Sequence, residues 1–184
     1  MENYTNLMVD LETLGTAPGC VIMSIGAVGF NSNGVSSETF YAEINTADAM
    51  SSGALFIDES TKAWWDKQED RDILTRCEQG GMKLITAVMA FNQFAASVCG
   101  EGFTVWGNGA SFDEPILREA MKSVGVDPSW KYWSSMCFRT LNFLGHKAGV
   151  PLGSKNATKH NALSDAIHQA ERAVSVLSAL GVKL

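Results

Sequence analysis

Proline and cysteine are scarce in this chain, at four each among 184 residues, and long apolar runs are missing. Each absence removes a class of protein. Cys20, Cys77, Cys99 and Cys137 stand singly, without the short paired spacings of zinc ribbons or redox motifs, so they are read as reduced thiols. No window approaches 18 consecutive apolar residues, which excludes a membrane-spanning helix and a membrane partner. Met1 to Asn6 has neither the basic nor the apolar region of a signal peptide, and the expected location is the cytoplasm. There is no phosphate-cradling loop ending in Gly-Lys-Ser or Gly-Lys-Thr. Equally absent are a dinucleotide fingerprint after the first strand and a nucleophile-elbow serine. Positive charge is also short: 14 Lys and Arg face 20 Asp and Glu, for a net charge of -6. The cationic surplus that drives phosphate binding is therefore missing overall.

What remains is a globular composition, with 46% hydrophobic and 18% charged residues. The length suits one domain spanning residues 1–184. Charge is unevenly spread. Residues 118–160 hold Arg118, Lys122, Lys131, Arg139, Lys147, Lys155 and Lys159 against only Glu119 and Asp127, a local excess of positive charge in an acidic chain.

The pattern of elements begins with strands. Leu7 to Leu11, Val21 to Phe30 and Glu38 to Ile44 predict a three-strand meander. Short helices are expected over Thr61 to Lys67 and Arg71 to Gln79, and a longer one over Lys83 to Val98. Phe103 to Trp106 reads as a buried strand, followed by a glycine-rich turn and a helix from Asp113 to Val124. Helices near Arg139 to Ala148 and Ala162 to Leu180 complete an α/β domain, a mixed sheet flanked by helices. In the last helix Leu163, Ala166, Ile167, Ala170, Val174 and Leu177 form one stripe. Asp165 lies roughly 140° from its centre, off the expected core face.

Three segments carry chemistry. In Val9-Asp10-Leu11-Glu12-Thr13, two carboxylates two apart on a strand project to one face, and their repulsion calls for cations. A solvated strand end is the plainer reading of the same pair. In Trp106-Gly107-Asn108-Gly109-Ala110-Ser111-Phe112-Asp113, a strand and glycine turn deliver Asp113 to a helix start, where an acid also serves as a cap. His160-Asn161-Ala162-Leu163-Ser164-Asp165 opens the last helix. His146 and His168 read as surface residues, whereas His160 keeps company with a carboxylate and suits a general base beside a metal site.

Together, and in this order, the segments resemble the three exonuclease motifs of the DnaQ-like DEDDh superfamily. Asp10, Glu12 and Thr13 match its DxExTG motif, Phe112-Asp113 its GxNxxFD-type motif, and His160, Ala162 and Asp165 its HxAxxD motif. Trp64-Trp65 and Cys137-Phe138-Arg139-Thr140-Leu141 resemble segments of phage-encoded exonuclease VIII-like proteins and related small exoribonucleases. Two places depart from the pattern. Gly107-Asn108-Gly109 replaces Gly-His-Asn, and Arg139-Thr140 stands where many relatives carry Asp-Thr.

The resemblance implies an RNase H-like mixed sheet and a metal-dependent 3′-to-5′ exonuclease that releases nucleoside 5′-monophosphates. It implies two Mg2+ or Mn2+ ions held by Asp10, Glu12, Asp113 and Asp165, with His160 taking the proton from the attacking water. Leu11, Thr13, Leu14 and Phe112 would meet the substrate's 3′ end, and Arg139 and Lys159 would meet phosphate. Of Trp64 and Trp65, adjacent on a helix and about 100° apart, one is expected to face the cleft. The expected substrate is single-stranded DNA or DNA ends, acted on in the cytoplasm, the host's if the chain is phage-encoded. An exoribonuclease of the same fold is the nearest alternative, and a non-catalytic nucleic-acid-binding module a more distant one. Monomer and homodimer remain open.

Overall fold

The computed structural model describes residues 4–68, 72–151 and 160–183. Its first three strands, β1 (Asn6–Thr13), β2 (Ile22–Asn31) and β3 (Gly34–Glu43), form an antiparallel meander. Four helices follow: α1 (Thr46–Met50), α2 (Glu59–Trp65), α3 (Asp72–Gln79) and α4 (Leu84–Cys99). β4 (Thr104–Gly107) then runs parallel to β1, and α5 (Asp113–Ser123) leads through a 3-10 turn at Tyr132–Ser134 to β5 (Ser135–Cys137). β5 pairs parallel with β4. The chain ends in α6 (Phe138–Lys147) and α7 (Ala162–Ala179). The sheet order is β3-β2-β1-β4-β5, a mixed sheet of the kind the sequence pattern predicts.

Side chains alternate across a strand, so β1 serves two layers. Leu7, Val9 and Leu11 join the apolar cluster containing Phe91 of α4 and Ile116 and Leu117 of α5. Met8 faces the other way, into a cluster with Val28, Phe30, Phe138 of α6 and the alanines of α7. Asp10 and Glu12 continue the Met8 side of the strand. β2 is buried along its whole length, as a central strand covered on both faces should be.

α7 comes closer to the sheet than the sequence stripe indicates. Its buried positions are Ala162, Ala166, Gln169, Ala170, Arg172, Ala173, Val176 and Leu177, while Leu163, Ile167 and Val174 are only half-buried. At about 100° per residue the buried face is turned roughly 75° from the expected stripe, which brings Asp165 to its edge. Small side chains allow the approach. A Cβ on Gly26 of β2 would lie 2.2 Å from the carbonyl carbon of Ala162, so only glycine fits beneath the start of α7.

Two elements were not expected. α1 is a five-residue helix capped by Asn45, whose side chain accepts from the Asp48 N–H at 2.8 Å. β5 is three residues of Ser-Met-Cys, too short for any periodicity to register. α2 begins earlier than expected because Asp58 caps it, accepting from the Thr61 N–H at 2.8 Å.

Candidate active site

The β1 acids and the start of α7 meet at one end of the sheet. Carboxylate oxygens of Asp10, Glu12 and Asp165 lie within 4.8 Å of one another. They line a cavity of about 550 Å³ together with His160, Phe112, Trp64 and Trp65. Among the described residues lining it, none is a lysine or arginine. The side-chain oxygen of Asn161 accepts from the Ser164 N–H at 2.9 Å, starting α7 so that Asp165 sits in its first turn.

Crowded burial of like charges shows in the electrostatics. Burial, then the charges of Asp113 and Glu12, hold the Asp10 carboxyl well above the ordinary carboxylate range, with Asp165 adding to the effect. A hydrogen bond from Gln169 Nε2 to Asp10 Oδ1, at 2.7 Å, acts against that rise. Glu12 is pushed up to about 8 by burial first and then by Asp165 and Asp113. Such a trio remains ionised at neutral pH when positive charge is supplied. Its all-oxygen donor set suits a hard divalent cation and is a poor match for softer metals that prefer sulfur or imidazole.

Asp113 stands outside the trio. It is 1% exposed, and its Oδ1 accepts from the Leu11 N–H at 3.2 Å while Oδ2 accepts from the Asn108 N–H at 2.6 Å. Burial raises it to about 6, against the lowering effect of those amides and of Arg139. It is therefore tied to both β1 and the turn after β4. Gly107 is needed there, since a Cβ would lie 2.8 Å from the Asp113 Cβ.

His160 has a backbone φ of 56°, in the left-handed region that non-glycine residues seldom occupy. Its ring meets Trp64 and Trp65 edge-on, with centroids 5.2 and 5.4 Å away. Trp65 Nε1 donates to the Thr13 carbonyl at 2.9 Å, linking α2 to the end of β1. An unusual backbone angle held by packed neighbours is a frequent signature of a functional residue.

A family model described as the 3′-5′ exoribonuclease Rv2179c-like domain matches residues 5–177. The chain belongs to that family. Its fold is similar to the nuclease domain of 3′hExo, a DEDDh family member solved bound to rAMP. The TM-score is 0.54 at 14% identity, covering 95% of this chain and 92% of that one. The architecture is thus RNase H-like α/β. No curated protein matches the chain.

Within this Rv2179c-like domain the other sequence-derived site residues fall in different places. Leu11 and Phe112 line the cavity, as does Thr13, whose hydroxyl donates to the Gly15 carbonyl at 2.6 Å. Leu14 does not, which corrects the expectation that it meets substrate: it is 1% exposed and belongs to the core. Its backbone explains this, because the Leu14 N–H donates to Val21 and its carbonyl accepts from Asp58, turning the side chain inward. Arg139 is exposed and donates to the Asn108 carbonyl at 2.7 Å, beside the Asp113 turn and outside the cavity lining. Lys159 lies outside the described residues. Both tryptophans line the cavity, where one was expected: Trp64 is 44% exposed and Trp65 is 2% exposed. Sequence reasoning missed Gln169. The available signal was its position one helical turn after Asp165, on the same face.

No helix among the described residues is long and apolar enough to cross a membrane.

Proposed function

We propose that the chain is a divalent-metal-dependent 3′-to-5′ exonuclease that removes nucleoside 5′-monophosphates from the 3′ end of RNA. The observation carrying this reading is the gathering of Asp10, Glu12 and Asp165, from opposite ends of the sequence, in a cavity with no lysine or arginine among its described lining residues. The choice of RNA over the DNA expected from sequence is supported by the description of the family as exoribonuclease, and by the rAMP bound to the DEDDh neighbour.

Asp10, Glu12 and Asp165 would hold the metal, Mg2+ or Mn2+, with Asp113 contributing to a second ion through water. Cations bound there supply positive charge against the carboxylates and against the negative charge that develops on the scissile phosphate. An imidazole nitrogen of His160 takes the proton from the attacking water, and the edges of Trp64 and Trp65 keep the ring in place for it. The exposed face of Trp64 and the ring of Phe112 offer stacking surface to the terminal base. Thr13 and Leu11 close the floor of the cleft. Arg139 and Lys159 would meet backbone phosphates.

Matched 5′-labelled RNA and DNA oligomers, incubated with the protein and Mn2+, test the reading. A ladder shortening from the 3′ end, faster on RNA and abolished by chelator, is expected. His160→Ala should slow it by about 10²–10⁴-fold. Faster DNA degradation would restore the sequence-based substrate. No cleavage of either polymer would leave a binding module as the better account.

A further inference from the structure

Gln169 is the least economical residue in the face that α7 turns to the sheet. Its neighbours there are alanines at 162, 166, 170 and 173, and it is itself only 6% exposed. One end of its amide is satisfied, because Nε2 donates to Asp10 Oδ1 at 2.7 Å across 159 residues of sequence. The other end is not: Oε1 is buried with no hydrogen-bond partner among the described residues. Reversing the amide does not cure this, since it would set one acceptor oxygen against another.

Arg172, three residues further along the same helix, provides the contrast. It is equally buried, but its guanidinium donates to Asn142 Oδ1 at 3.0 Å and to the carbonyls of Val150 and Pro151. That is how a polar side chain kept for architecture looks: every contact joins one part of the scaffold to another. Gln169 instead leaves an acceptor stranded and directs its donor to a single carboxylate oxygen. A leucine or methionine would fill the space without the orphan oxygen, so the stability argument runs against glutamine at this position.

We propose that Gln169 is a positioning residue, fixing the rotation of the Asp10 carboxylate so that it meets a divalent cation together with Glu12 and Asp165. The inference rests on the metal-site reading above. A carboxylate on a strand turns about its terminal bond with little resistance. With Oδ1 tied to α7, the group presents one fixed edge, and the helix that carries Asp165 sets the angle of Asp10 as well. Outer partners that orient metal-binding side chains typically change affinity by 10–100-fold when removed.

The test is calorimetric titration of Mn2+ into wild type, Gln169→Met and Arg172→Met, with thermal unfolding of each in the absence of metal. Wild type should bind Mn2+. Gln169→Met should unfold at the same or a higher temperature, yet bind Mn2+ at least about tenfold more weakly. Arg172→Met should unfold at a lower temperature and, while folded, keep its Mn2+ affinity. If Gln169→Met does not fold, Gln169→Asn, which keeps the amide but shortens its reach, should show the same weakened binding. Mn2+ affinity within twofold of wild type in a folded Gln169 variant overturns the positioning role and leaves the metal site standing. Absence of Mn2+ binding by wild type overturns the metal site itself, and the positioning role with it.

Discussion

α4 and α7 cover opposite faces of one sheet and are built on opposite plans. α4 faces the sheet with Leu84, Val88 and Phe91, and the Phe91 ring meets Phe40 and Trp130 edge-on at 5.7 and 5.8 Å. Bulk of that kind yields stability, because large buried side chains remove the most apolar area from water. α7 instead has alanines at four of its eight buried positions and rests on a glycine. That face is poorer in apolar area but nearer the strands. Nearness is what allows Asp165 and Gln169, on a helix, to reach Asp10 and Glu12, on a strand. One side of the sheet is organised by volume and the other by proximity.

The comparison can be broken from either side. Phe91→Ala should cost about 3–5 kcal/mol of stability in denaturant titration, through lost transfer energy and the cavity left behind. The turnover of the molecules that remain folded should change little, since α4 packs behind β1 and supplies no residue that lines the cavity. Gly26→Ala should cost less, about 1–3 kcal/mol, as α7 is forced outward by a methyl group 2.2 Å from its backbone. Its turnover per folded molecule should nevertheless fall by tenfold or more, because the helix that moves carries Asp165. Comparable turnover losses for the two variants would show that distance between α7 and the sheet is not what builds the site.

The same contrast governs what could be read from sequence. On the α4 side, large apolar residues at helical spacing announced the helix. The meander was equally plain, because its first two strands are apolar runs and the third alternates. On the α7 side the helix was evident but its orientation was not. The bulky residues Leu163, Ile167 and Val174 set the visible stripe, yet close packing selected the small ones, and the face turned. The acids were visible because a carboxylate two residues from another on an apolar strand carries an electrostatic cost. Gln169 carries no charge and forms no motif, so its partner 159 residues away had to be seen. Leu14 was expected at the substrate from the resemblance alone, and its side chain turns into the core instead.

The pH dependence of the chain without metal, and its reversal by metal, bears most directly on the acidic cluster. A carboxyl whose folded pKa is raised binds its proton more tightly in the folded state. The folded state is therefore favoured at low pH and loses that advantage as pH climbs from the ordinary value toward the raised one. For Glu12 the window runs from 4.5 to about 8 and for Asp113 from 3.8 to about 6, with Asp10 shifted in the same direction. The decisive measurement is thermal unfolding at pH 5 and pH 8, with and without Mn2+, for wild type and Glu12→Gln. Wild type without metal should be less stable at pH 8 than at pH 5. Saturating Mn2+ should raise its Tm at pH 8 by roughly 5–10 °C, with little effect at pH 5. Glu12→Gln should weaken both responses, with Asp10 and Asp113 left to carry what remains of the pH dependence. A wild-type Tm at pH 8 that ignores Mn2+, in a chain no less stable there than at pH 5, would mean that these acids do not form a cation site.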